Sequence, residues 1–230
     1  MTRGAVALVA ATGMLFLGGC SIVDRVTGDR EQEEVPELSE SALDKVLLSE
    51  QEINQILAAS DVRVVGNTRE ELSDLSPDLS DADCLGVQYT AQEEVYRGTG
   101  WTAVRDEILR DEGNDHFLNQ TVVLFRSADQ AAEFFEASKT QWRECANSSV
   151  VETDDDRDTT WNIGDLTEVG GNVISTDVGQ EGTPRVCQHA MGVVTNLVAE
   201  TIACSDDISD EAESVVTTTI DYAVDEGQGA

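Results

Sequence analysis

Five cysteines constrain this 230-residue chain more than any other feature, because they divide into one and four. Cys20 ends an apolar N-terminal stretch, whereas Cys84, Cys145, Cys187 and Cys204 are spread through the body of the chain. An even number of cysteines in an exported protein reads as two disulfides, with three possible connectivities. A zinc site is the alternative. It fits poorly, since no two cysteines are close in sequence and His116 and His189 are the only histidines.

One connectivity follows from strand geometry. The segment RVCQHAMGVVTNLVAETIAC is rich in β-branched residues and is interrupted by Thr195-Asn196. If these two residues form a two-residue hairpin turn, Cys187 lies opposite Cys204 and His189 opposite Ile202. Counting outward from Val194/Leu197, the cysteines fall on a non-hydrogen-bonded pair. There the Cα atoms approach to about 4.5 Å, within disulfide range. Cys84–Cys145 then follows by elimination. Thr-Asn is a less usual hairpin turn than Asn-Gly.

The oxidising compartment is read independently from residues 1–19. Arg3 supplies a positive start, and residues 5–17 are almost wholly apolar, too short to span a bilayer as a stable helix. Leu17-Gly18-Gly19-Cys20 has the form of a lipobox. Residues 1–19 are therefore expected to be a signal peptide and Cys20 the lipidated N-terminus of a lipoprotein. The expected location is the extracytoplasmic face of the cell membrane, with the lipid anchor at Cys20 as the membrane contact. An ordinary signal peptide with a chance cysteine is the alternative. Two or three acyl chains would anchor stably where one would not.

The formal charge of −32 makes nucleic acid an implausible partner. It also sets the body against anionic lipid headgroups. Residues 20–41 carry Glu31, Glu33, Glu34, Glu37 and Glu40 without apolar periodicity and read as an acidic tether. Residues 42–226 are enough for one domain with a real core. The presence of two lysines against twelve arginines suits a GC-rich genome or a salt-adapted surface.

Within the domain, Ser49 and Glu52 form a capping box ahead of a short helix. Strands are expected at 61–65, 101–109 and 117–126, and again from Trp161 onward. Ser127 should cap a helix that buries Ala131, Phe134, Phe135, Ser138 and Trp142 and ends at Cys145. Residues 210–224 form a last helix facing inward through Val215, Val216, Thr219, Ile220 and Ala223. Residues 72–83 and the acidic run 154–158 read as loops, the latter lacking the glycine and terminal glutamate of a calcium loop. The expected class is α+β: an antiparallel sheet with helices packed on it, two disulfides, and a single domain with a cleft.

The segments CLGVQYTAQEEVYRGTGWTAVR, VVLFRSADQAAEFFEASKTQWREC and the paired CQHA and IAC resemble the PknH-type extracellular sensor domain family. The resemblance spans about residues 48–224. It implies an α+β domain with the same disulfide pairing around a solvent-exposed cleft for a small ligand. The family includes the external domain of a mycobacterial serine/threonine kinase and stand-alone mycobacterial lipoproteins of the actinobacteria. This sequence carries no kinase motifs, so a signalling role does not transfer.

Catalytic signatures are missing: there is no G-x-S-x-G, H-E-x-x-H, Walker A or dinucleotide glycine pattern. His189 reads as a histidine packed on a sheet face and His116 as a surface residue. Neither a cofactor nor a metal is expected. Tyr89, Tyr96 and Trp101 lie beside Gln88, Gln92 and Arg97, a mixture suited to a polar ligand. Tyr89, Gln92 and Trp101 are the candidate ligand-binding residues, though Trp101 also reads as core. The expected function is non-enzymatic binding or sensing of an unknown small molecule or envelope component. A carboxylate-based envelope hydrolase and an interaction scaffold for envelope proteins are the alternatives. Facing carboxylates roughly 5–10 Å apart would mark the hydrolase, and a wide apolar patch the scaffold.

Overall fold

The run 121–125 sits mid-sheet, and its neighbours explain why it is apolar on both sides. The computed structural model describes residues 35–154 and 157–229; Cys20, the signal sequence and the first part of the tether lie outside them. Nine antiparallel strands form one sheet: β1 (Arg63–Val64), β2 (Trp101–Arg110), β3 (Phe117–Phe125), β4 (Ser149–Asp154), β5 (Arg157–Ile163), β6 (Thr167–Val169), β7 (Val173–Gln180), β8 (Val186–Val194) and β9 (Leu197–Ser205). Their order is β1-β2-β3-β9-β8-β7-β5-β4, with β6 paired to β7.

Helices cover both faces. On one lie α1 (Leu43–Val46), α2 (Glu50–Ile56) and the long α6 (Glu211–Gly229), over Leu118, Val122 and Leu124. On the other lie α3 (Leu85–Gln88), α4 (Glu93–Tyr96) and α5 (Ala128–Cys145), over Val123, Phe125, Val198 and Met191. The alternation of strand side chains sends successive residues of β3 into two different cores. Close approach of α6 requires Gly192: a Cβ there would stand 2.6 Å from Val216 and 2.7 Å from Ile220.

The β8–β9 hairpin has the expected register, with Cys187 opposite Cys204, His189 opposite Ile202, and Cα atoms of the disulfide 4.0 Å apart. Cys84 and Cys145 form the second disulfide, at a Cα separation of 5.7 Å. The unusual turn has a cause. Thr195 takes a left-handed φ of +44°, and Asn196 is buried because its side chain clamps other chain segments. It accepts from Leu38 N–H (2.7 Å) and donates to the carbonyls of Leu38 and Phe125, both at 3.0 Å.

That clamp corrects the expected domain start at residue 42. Leu38 is buried, Glu37 accepts from the Ala128 N–H at the start of α5, and Glu40 pairs with the Arg105 guanidinium at 3.3 Å. These acids look like spacer in the sequence because their partners lie about 65 to 90 residues away. Other expectations shift locally. The strand expected at 61–65 shrinks to β1, and within the run 154–158, expected as loop, Asp154 ends β4 while Arg157 and Asp158 begin β5. The pattern from Trp161 is split between β5 and β6. Asp155 and Asp156 lie outside the described residues.

The capping box of α2 is complete, since Ser49 Oγ accepts from Glu52 N–H and Glu52 accepts from Ser49 N–H. Glu52 also accepts from the Tyr222 hydroxyl on α6, joining the two helices. The Ser49 hydroxyl, the Tyr222 hydroxyl and the Ser49 N–H together hold the Glu52 carboxyl below its ordinary value, against a small opposing effect of burial. A depressed carboxylate stabilises the fold above its unfolded pKa, and that stabilisation is lost as pH falls through the folded value. Glu52→Ala should therefore lower unfolding free energy by about 1 kcal/mol at pH 7. The deficit should close below pH ~4, as read from urea denaturation at several pH values.

Candidate ligand-binding cleft

Beside helix α5, the same sheet face borders a cleft of about 560 Å³. Its floor is two cross-strand rows. The outer row runs Arg110, Phe117, Cys204, Cys187 and Val178; the inner runs Ile108, Asn119, Ile202 and His189. The Cys187–Cys204 disulfide is thus a floor element: directly opposed residues share a sheet face, and here that face is the cleft side. Loop residues around Arg69 and Leu75, the segment from Val87 to Gln92, and the β4–β5 hairpin form the walls.

Beneath one wall, Asp106 is fully buried and accepts from Arg69 Nε (2.6 Å), Asn119 Nδ2 (2.7 Å) and Thr121 Oγ1 (2.6 Å). Thr90 donates to Asn119 Oδ1 at 2.8 Å, extending the network to the wall segment. Buried charge is tolerated here because every partner is satisfied. One row deeper, Glu200 accepts from the Tyr96 hydroxyl. Burial, with Glu200 beside it, pushes the Tyr96 hydroxyl far above its ordinary value, so it stays a donor.

His189 is 1% exposed. Its Nδ1 lies 2.8 Å from Val87 O, its ring centroid is 4.4 Å from that of Trp142, and its Nε2 stands 3.5 Å from Glu200 Oε2 without a hydrogen bond. The expected packing on a sheet face is observed, but the ring also borders the cleft. His116, expected at the surface, is half-buried and bonds Asp111 Oδ2 through Nδ1 at 2.8 Å.

At the far wall, Glu152 accepts from the Tyr89 hydroxyl (2.6 Å) and from Trp161 Nε1 (2.8 Å). Burial and then the Glu152 carboxylate push the Tyr89 hydroxyl far up, keeping its proton on. Of the three candidate residues, Tyr89 lines the cleft. Gln92 borders it, but its amide serves the wall: Oε1 accepts from Leu75 N–H (2.9 Å) and Nε2 donates to Thr90 O (2.8 Å). Trp101 lies outside the cleft, packing with the α5 core where β2 is irregular. Arg97 is exposed and paired with Glu94.

Gln88, Arg110, Glu152 and Trp161 complete the site. Gln88 is 9% exposed, lines the cleft, and its Oε1 has no hydrogen-bond partner. The hairpin register already placed the disulfide, His189 and Ile202 in neighbouring positions. Only the sheet order brings Arg110 and Trp161 to the same face. Among the described residues no cluster of His, Cys, Asp and Glu could hold a metal ion, and no helix is long and apolar enough to cross a membrane. A second groove, about 740 Å³, runs between α3–α4 and α5 past Trp142.

The model of the PknH-like extracellular domain matches residues 38–221. The chain belongs to the PknH-like extracellular domain family. It is 31% identical over 225 residues to the serine/threonine-protein kinase PknH of Mycobacterium tuberculosis, covering 96% of this chain and 35% of the kinase. With PknH of Mycobacterium bovis it shares 32% over 188 residues, 80% of this chain and 31% of the relative. The chain thus corresponds to about a third of the length of these kinases. The crystal structure of the extracellular domain of PknH from Mycobacterium tuberculosis superposes with a TM-score of 0.79 at 31% identity, covering 84% of this chain and all of that one. The PknH-like domain accounts for the α+β architecture, including the antiparallel sheet.

Proposed function

We propose that this chain is a lipid-anchored, non-enzymatic sensor domain that binds a small molecule in the cleft at the outer face of the membrane. The observation that supports it is the cleft of about 560 Å³ itself, whose lining brings Arg110 and Arg185, paired with no carboxylate among the described residues, beside an apolar floor and the Gln88 carboxamide. The Gln88 oxygen is buried without a partner, a cost that a ligand turning the carboxamide toward the cleft would remove. The family membership supports an extracellular sensor-like role, and the Cys20 lipobox supports the anchor.

The hydrolase alternative fares worse. Glu152 and Asp154, both at the cleft, come two residues apart from one strand, while the opposite wall carries Arg110 and Arg185. The scaffold alternative lacks its patch: among the described residues Val65 and Val169 are the exposed large hydrophobics. Native mass spectrometry of the full chain, extracted from the envelope without a stripping step, tests the proposal. A small molecule should remain bound to the wild type and be lost from Gln88→Leu, and Cys20→Ala should move the protein into the medium. Equal retention by Gln88→Leu would overturn the cleft assignment, and membrane retention of Cys20→Ala would overturn the anchor.

A further inference from the structure

Charge is distributed unequally along the cleft, and this narrows the ligand. Three arginines border it in a chain of formal charge −32. Arg69 is neutralised by Asp106. Among the described residues Arg110 and Arg185 meet no carboxylate; Arg185 instead donates to Asn114 O at 3.1 Å, which ties the β7–β8 loop to the β2–β3 loop at that end. At the other end, Glu152 receives two neutral donors, Tyr89 and Trp161, and no cation. One end therefore has uncompensated positive charge and the other uncompensated negative charge.

Between them the floor is apolar, formed by Phe117, Ile202, Val178 and the disulfide. Gln88 also lines the cleft, and its buried Oε1 has no protein partner. Six strand-to-strand steps separate β2 from β4 in the sheet order. At about 4.8 Å each, less the inward reach of the arginine and glutamate side chains, the two charged ends are roughly 20 Å apart. An extended peptide covers about 3.3–3.6 Å per residue.

We infer that the cleft takes an extended peptide-like zwitterion of about five residues, its carboxylate at Arg110 and Arg185 and its amine at Glu152. The Gln88 carboxamide turns to bond the peptide backbone, and small apolar side chains rest on the disulfide floor. This rests on the proposal that the cleft is the ligand site. Charge-assisted bonds at both termini would fix direction as well as affinity.

The probe is the pentapeptide Ala-Ala-Phe-Ala-Ala in four forms: free, N-acetylated, C-amidated and doubly blocked. Each is titrated calorimetrically into the full chain in detergent. The free form should bind, and each block should weaken it by about tenfold. Arg110→Gln should weaken the free form but leave the C-amidated form unchanged, and Glu152→Gln should do the same for the N-acetylated form. Both residues are at least partly solvent-accessible, and thermal melts of the variants verify folding. Equal binding of the doubly blocked form, or no binding of any form, would overturn the zwitterion assignment. An envelope-derived ligand lost in Gln88→Leu but lacking one of the charges would also overturn it while leaving the cleft as the site. Retention of that ligand by Gln88→Leu would remove the cleft itself.

Discussion

Replacing Cys84 and Cys145 together by alanine is expected to lower the unfolding free energy by about 4 kcal/mol. The cross-link joins residues 61 apart, and the loop it closes contains α3, α4, β2, β3 and α5. Its removal releases that loop in the unfolded chain, where the entropy gain grows with the logarithm of loop length. The Cys187–Cys204 pair spans only 17 residues, so its removal should cost about 3 kcal/mol. Guanidinium denaturation of the two double variants under non-reducing conditions gives the order directly. A larger loss from the shorter loop would show that cleft-floor packing, rather than chain entropy, dominates.

The second large effect is expected at the cleft wall. Asp106→Ala should cost about 3 kcal/mol, because it leaves the Asn119 amide and the Thr121 hydroxyl without their acceptor, while the partly exposed Arg69 guanidinium turns to water. Arg69 supplies two of the bonds, Thr121 is buried, and Asn119 lies at the cleft floor with little exposure. Arg69→Ala should cost less. Its guanidinium is partly in water, and Asp106 would keep Asn119 and Thr121. Urea unfolding at pH 7 measures both. Equal costs would place the stabilisation in the ion pair alone.

The parts of this molecule that were legible in the sequence are those with short-range periodicity. The α5 face followed from helical spacing of Ala131, Phe134, Phe135, Ser138 and Trp142, all buried. The β8–β9 register followed from counting outward from one turn, and it carried the disulfide and the position of His189 with it. What was illegible depends on partners far along the chain. Leu38 looks like part of a spacer until Asn196, 158 residues later, clamps its backbone. Gln92 and Trp101 have the chemistry of ligand contacts. The structure uses the first to hold Leu75 and Thr90 and the second to fill the α5 core. Arg110 and Glu152 have no local signature, and only strand order places them at two ends of one cleft.

The proposed ligand site is the cleft over the Cys187–Cys204 disulfide rather than the groove along α5. A crystal structure of the full-length protein purified from the envelope without ligand removal tests it most directly. The expected result is continuous density over the Cys187–Cys204 disulfide, within hydrogen-bond distance of Gln88 and reaching toward Arg110 and Glu152. Ligand density in the groove beside Trp142, with only solvent above the disulfide, would contradict it.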